Sequence, residues 1–303
     1  MSRLVLFMSF VLSLGSAAFA QSEAEVAAAR LAYIAQDYAT ALPVLRPAAE
    51  AGNAVAQNIM GAAYEDGNGV TADIVAALDW YGRAAAQDLD KALYNLGLVY
   101  AEGREGVPLD YEKAAGYYER AIALGYHHAM NNRGFMHEKG RGGEVDFPAA
   151  IALYEQAIAQ DNALAMNNLG NLLVNEPEVD EDLARALDLF RRSALSGNLV
   201  GLNNLGAMYE NGYGVGQDSL AAMALYNMAA TAGDTRAAIN LAYELIEGDH
   251  MFRDAVEGYA WCLYGLKNAE ADKLPGYQDD CAYLRDQIAL AEAEAAEVMV
   301  ADW

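Results

Sequence analysis

Residues 95–125 read NLGLVYAEGREGVPLDYEKAAGYYERAIALG, and residues 204–233 read NLGAMYENGYGVGQDSLAAMALYNMAATAG. Both place Asn-Leu-Gly before a tyrosine, then a glycine-rich link, a pair of alanines and an aromatic residue. Aligned on the first glycine, the pattern recurs at Gly61, Gly97, Gly134, Gly170, Gly206 and, in a degenerate sixth copy, Ala242, at a spacing of about 36 residues. A period of this length marks stacked helical hairpins, each unable to bury its apolar face alone.

Within a copy, Ala56, Ala92, Ala129, Ala165, Gly201 and Ala237 share one slot. Met60, Leu96, Leu169, Leu205 and Leu241 follow four residues later, and Tyr64, Tyr100 and Tyr209 come three after the anchor glycine. Steps of four and three lie on one helix face. A glycine inside that stripe costs about 1 kcal/mol of helix propensity against alanine. Its repetition predicts a close approach between the two helices of each hairpin. Gly67, Gly103, Gly140 and Gly212 stand where a left-handed C-cap ends the first helix. The second helices open on small pairs such as Ala76-Ala77 and present Tyr81, Tyr118, Tyr154, Phe190 and Tyr226.

No alternating strand pattern is present, so the expected fold is all-α: an α/α solenoid, a right-handed superhelix of helix-turn-helix repeats. Residues 21–53 form an N-terminal half-copy, with helices over 27–35 and 38–51. Pro43 is expected in the first turn of the second helix, and Pro47 is expected to kink it. Six copies fill 54–270, and one amphipathic helix over 276–298 caps the chain within 271–303.

The quoted stretches resemble Sel1-like repeats, relatives of the tetratricopeptide repeat, and the resemblance extends over nearly all of 54–268. It implies a concave groove used mostly for protein–protein interaction. Several members of that family are exported bacterial proteins that bind partners in envelope signalling or host contact. The third copy departs from the pattern with Arg133 for leucine and His137 for tyrosine. The fourth replaces its second glycine with an acidic loop from Glu176 to Asp182. Departures in mid-array are candidates for partner-specific features.

The first 20 residues carry Arg3, the apolar run Leu4 to Leu14 and Ala18-Phe19-Ala20, which together read as a secretory signal peptide. Its removal leaves 18 basic against 43 acidic residues, a net charge of −25. That surface disfavours nucleic acid and anionic lipid. No further stretch approaches membrane-spanning length. The expectation is an exported, periplasmic or secreted chain, monomeric and not inserted in a membrane. Cys262 and Cys281 are the only cysteines. They fall symmetrically about a loop near 268–275, so a disulfide across the last hairpin is expected in an oxidising compartment. Two buried free thiols are the alternative.

Two residues before the anchor stand Asn95, Asn132, Asn168, Asn204 and Asn240; one residue earlier stand Asn58, Asn131, Asn167 and Asn203. Asparagine is a poor helix former, because its amide competes for backbone groups. One amide supplies both a donor and an acceptor, which suits an extended peptide backbone whatever its side chains. The resemblance adds that the asparagine before Leu-Gly is a peptide-binding position in tetratricopeptide proteins, which favours Asn95, Asn168 and Asn204. The same amides also suit bonds between neighbouring helices. Glu65, Glu138 and Glu210 recur four residues after the anchor and point to a neutral or basic partner.

Catalytic and metal motifs are not evident. The mature chain has four serines, none in a G-x-S-x-G or S-x-x-K setting. None of the histidines forms an H-E-x-x-H pair. No cofactor is expected. The reading is therefore a protein- or peptide-binding scaffold, a periplasmic adaptor or regulator. Binding or hydrolysis of cell-wall fragments or β-lactams, which the resemblance also raises, is the alternative.

Overall fold

The structure is a computed structural model that describes residues 23–179, 181–248, 253–271, 273–301 and 303. The expected signal peptide and His250 lie outside the described residues. Among those residues there are sixteen α-helices and no strand, an α/α-solenoid fold of helical hairpins. The chain divides into two compact units, one ending at Leu153 and the other beginning at Tyr154, within α8 (Phe147–Ile158).

The first unit contains α1 (23–34), α2 (Tyr38–Glu50), α3 (Ala54–Asp66), α4 (Ile74–Ala85), α5 (Asp90–Glu102), α6 (Tyr111–Ala123) and α7 (His127–Glu138). The second contains α9 (Ala163–Asn175), α10 (Leu183–Leu195), α11 (Leu199–Asn211), α12 (Ser219–Thr231), α13 (Thr235–Glu247), α14 (Ala255–Asn268), α15 (Leu274–Asp286) and α16 (Leu290–Ala301). Within each unit the two helices of a copy pack together, and each second helix also meets the next first helix.

The anchor glycines seat the aromatic of the second helix. A Cβ on Gly61 would lie 2.5 Å from the Tyr81 ring, and one on Gly170 or Gly206 would lie 2.6 Å from Phe190 or Tyr226. Tyr118 covers Gly97 just as closely. Tyr81, Tyr118, Phe190 and Tyr226 are all buried. A buried aromatic removes roughly 150–250 Å² from water, about 4–6 kcal/mol at ~25 cal/mol per Å². That exceeds the helix cost of the glycine several-fold.

A second periodic device closes each hairpin. Asp37, Asp73, Asp110, Asp146, Asp182, Asp218 and Asp254 each stand at the start of a second helix and accept from backbone N–H groups of its first turn. From Asp73 onward, the backbone N–H of the same residue donates to the carbonyl three residues after the anchor position, as from Asp73 to Tyr64 and from Asp218 to Tyr209. One residue thus caps the helix and fixes the link.

Two expectations about the ends need correction. Helix α2 begins at Tyr38, capped by Asp37, so Pro43 lies beyond the first turn. The helix continues through both prolines because Ala41, Leu42, Leu45 and Ala49 bury its inner face. The C-terminal region is two helices rather than one. Glu292 accepts the N–H of Ala289 at 2.7 Å and restarts the helix, a capping-box contact that no Gly or Pro announces. Helix α15 packs on α13 and α14, and α16 packs on α14. A Cys262–Cys281 disulfide joins α14 to α15 in the core, with a Cα–Cα distance of 5.7 Å.

Candidate functional site

On each first helix, the residues six and two before the anchor and one and five after it fall on a single face. The asparagines divide into two layers there. Asn131, Asn167 and Asn203 are buried. Asn95, Asn132, Asn168, Asn204 and Asn240 are half-buried and belong to the outer stripe.

The asparagines of the outer stripe link neighbouring copies, in part through the half-buried Asn58 and the buried Asn203. The Asn95 amide donates to Asn58 Oδ1 at 3.1 Å, and Asn240 donates to Asn203 Oδ1 at 2.8 Å. Asn132 donates instead to the hydroxyls of Tyr94 and Tyr118, at 3.4 Å each, and Asn131 donates to Asn132. Between the fourth and fifth copies the rung is broken. Asn204 turns to Asn171 Oδ1 at 3.4 Å. Asn167 donates to Asn198, the cap of α11, but its own Oδ1 has no partner although the residue is only 2% exposed. A buried amide oxygen without a donor costs about 1–3 kcal/mol, so this position has capacity to spare.

The outer stripe of α9 and α11 differs from that of α5, α7 and α13, the last of which carries Arg236, Asn240, Tyr243 and Glu247. On α9 and α11 it reads Leu164, Asn168, Asn171, Asn175 and Val200, Asn204, Ala207, Asn211, with no charged residue. On α5 and α7 it reads Lys91, Asn95, Leu98, Glu102 and His128, Asn132, Phe135, Lys139. Here Tyr94, Tyr126 and His128 form a half-exposed cluster with ring centroids 5.2–6.0 Å apart. Burial, reinforced by Tyr94 and Asp90, pushes the Tyr126 hydroxyl up to about 12. Burial and the neighbouring His127 and Lys91 hold His128 below the usual histidine range.

The glutamates face inward partners. Tyr81 donates its hydroxyl to Glu65 at 2.8 Å, and Tyr226 donates to Glu210 at 2.5 Å. Both hydroxyls are raised well above the usual tyrosine value, first by burial and then by the adjacent carboxylate. Arg104 also reaches Glu65 at 3.3 Å, and Lys139 pairs with Glu138 at 2.6 Å.

A family model for the Sel1 repeat matches residues 54–89, 90–126, 127–162, 163–198, 200–234 and 235–264. The chain belongs to the Sel1 repeat family. Sel1 repeats are helical scaffolds, generally of the protein-interaction type. Among solved structures, c5321 resembles this chain with a TM-score of 0.68 and 26% identity over 95% of it. That protein is described as a protective antigen present in uropathogenic Escherichia coli strains, and this chain spans 63% of its length. A Sel1 repeat protein from Oxalobacter formigenes matches with a TM-score of 0.71 and 24% identity, over 80% of this chain and 96% of its own. No curated protein matches the sequence.

Read across the Sel1 repeats of this chain, the Tyr–Glu contact behaves as a coupled pair. Where the second helix carries Phe190, the glutamate slot holds Val174; where it carries Cys262, the slot holds Ile246. In the second copy, Ala101 fills the slot and Asn132 takes over the Tyr118 hydroxyl. The pairing becomes visible only when two slots in different helices are read together. The capping aspartates, and Asn175 with Asn211, were likewise legible as shared offsets from the anchor, whereas Asn171 stands alone at its offset and carries no periodic signal. Among the described residues no group of three or more His, Cys, Asp or Glu is placed to hold a metal ion. No helix among them is long and apolar enough to cross a membrane.

Proposed function

We propose that this Sel1 repeat protein is a peptide- or protein-binding scaffold, and that its principal contact surface is the amide stripe of α9 and α11. The observation that carries the reading is an uncharged run of Asn168, Asn171, Asn175, Asn204 and Asn211 in a chain of net charge −24. Solubility alone favours charge at such positions. Amides suit recognition of a polypeptide backbone, whose N–H and C=O groups alternate whatever the side chains. The broken rung supports this. Asn204 holds its present partner only at the limit of hydrogen-bond distance, so a ligand can recruit it at low cost.

Glu65 and Glu210 are engaged by tyrosines, so the amides rather than the glutamates carry the site. The wider setting we propose is an exported, periplasmic adaptor or regulator, in keeping with the Cys262–Cys281 bond, since disulfides persist in oxidising compartments. The test is capture of the partner by cross-linking in the native envelope, followed by calorimetric titration. Asn168→Ala combined with Asn204→Ala should weaken binding about tenfold or more. Unchanged affinity in that double variant, with its helical signal intact, rejects the site.

A further inference from the structure

The third copy is where the frame changes its chemistry. The slot before the anchor holds Arg133 where the sister copies hold methionine or leucine. The slot three after it holds His137 where they hold tyrosine or leucine. The slot five after holds Lys139 where they hold aspartate, glutamate or asparagine. Arg141 follows in the link. Arg133, Lys139 and Arg141 thus place three strong cations within nine residues, the first two at slots that are apolar, acidic or amide in the sister copies and the third in the link.

Arg133, His137 and Arg141, though not Lys139, line a cavity of about 420 Å³ together with the loop from Gly142 to Asp146. The loop is held in shape. Gly140 and Gly142 take φ values of +62° and +84°, and a Cβ on Gly142 would come within 3.0 Å of Tyr111.

Lys139 is paired with Glu138 at 2.6 Å, but the two arginines are under-used internally. Arg133 occupies a leucine slot with its side chain 19% exposed, and its carboxylate partner, Glu119 at 3.4 Å, is itself 63% exposed. An ion pair with so exposed a partner contributes little, so it does not account for a guanidinium at a core position. Arg141 lies over the Phe135 ring at 4.9 Å, and among the described residues no carboxylate lies within ion-pair distance of it. On the cavity wall, Asp146 already caps α8 through the N–H of Ala149 at 3.0 Å. Glu144 is the other carboxylate there, and it is exposed. Phe135 and Lys139 lie on the same helix face as Asn132, so the cationic corner continues the outer stripe of α7.

We infer that this corner is a carboxylate-binding site for an acidic segment of a partner polypeptide, with Arg133 and Arg141 as the two guanidinium forks and Phe135 as the apolar platform under Arg141. Guanidinium presents paired N–H donors that match a carboxylate edge, which a lysine does not. The site is independent of the amide stripe on α9 and α11, and either can fail without the other.

The test uses the full chain at about 0.15 M salt, where charges more than about 8 Å away are screened and the overall negative charge no longer dominates. A fluorescent N-acetyl tetraglutamate amide is titrated by anisotropy beside the matching tetralysine peptide and inorganic phosphate. The glutamate peptide should bind. Arg133→Leu, which restores the sister-copy residue, and Arg141→Leu, on the exposed loop, should each weaken it about tenfold or more. Glu144→Gln should tighten it. Three outcomes overturn the inference. The first is no binding of the glutamate peptide. The second is unchanged binding in both arginine variants. The third is displacement of the peptide by phosphate at equal concentration, which makes the corner a small-anion site.

Discussion

The two units share one frame and differ in what they expose on it. In both, an anchor glycine seats an aromatic and an aspartate caps the second helix. In the first unit, α5 and α7 present lysine, glutamate, histidine and aromatic rings on the outer stripe; in the second, α9 and α11 present amides and aliphatic residues. The contrast separates residues that build a copy from those that address a ligand. The first group recurs in both units, and the second changes from copy to copy, most sharply between α5 and α7 on one side and α9 and α11 on the other. The second unit also carries a covalent tie between α14 and α15.

That tie offers the largest lever on the comparison. Reduction of Cys262–Cys281, or Cys281→Ser, should cost the second unit about 3 kcal/mol. Hydrogen exchange in α3 to α6 should stay unchanged. Equal loss of protection in both units would show that they do not behave separately. Next is the Tyr–Glu pair. Glu210→Val should destabilise by about 2 kcal/mol, because it strands a buried hydroxyl. Adding Tyr226→Phe should recover most of that loss, since the double variant copies the Phe190–Val174 arrangement. No recovery in denaturant titrations would mean that the two slots are not coupled.

The caps should behave alike in both units. Asp73→Ala and Asp218→Ala should each cost about 1 kcal/mol by thermal denaturation. A clear inequality would break the claim of a common frame. The smallest effects are in pH. The hydroxyls of Tyr81 and Tyr226 are raised in the folded chain, so their contribution is full below about pH 10 and is lost as pH rises beyond it, when unfolded tyrosine ionises first. The Asp110 carboxyl is lowered, chiefly by the N–H of Lys113. Its contribution is therefore full above the ordinary aspartate value and lost as pH falls through the lowered one. A stability curve that rose above pH 10 would contradict the first assignment.

Most of the frame was legible in the sequence because its residues repeat. The close approach at the anchor glycines, the left-handed C-caps at Gly67 and Gly212 and the cysteine pairing follow from reading slots in register, whereas Gly103 ends α5 with an extended ψ of 163° and Lys139 rather than Gly140 caps α7. The end helices were harder. Glu292 restarts the chain through a single carboxylate contact that carries no distinctive residue type, and the packing of α2 outweighs two prolines that locally argue against it. At the site, the asparagine positions were visible but their division of labour was not. Whether an amide faces its neighbour or the outside depends on one residue of helical phase, and bonds such as Asn95 to Asn58 cross 37 positions of chain. The engagement of Glu65 and Glu210 was hidden for a related reason, since the partner tyrosine lies in another helix.

The Tyr–Glu pair also limits how such a chain can change by recombination. Glutamate and tyrosine are 16 residues apart in each pair, within one copy. A crossover outside that span moves both together and yields a copy with its own internal lock. A crossover within it can join a glutamate-bearing first helix to a phenylalanine-bearing second one and strand a half-buried carboxylate. Viable breakpoints should therefore cluster between the aromatic of one copy and the next glutamate slot, and arrays of this kind should grow or shrink in whole, self-sufficient copies.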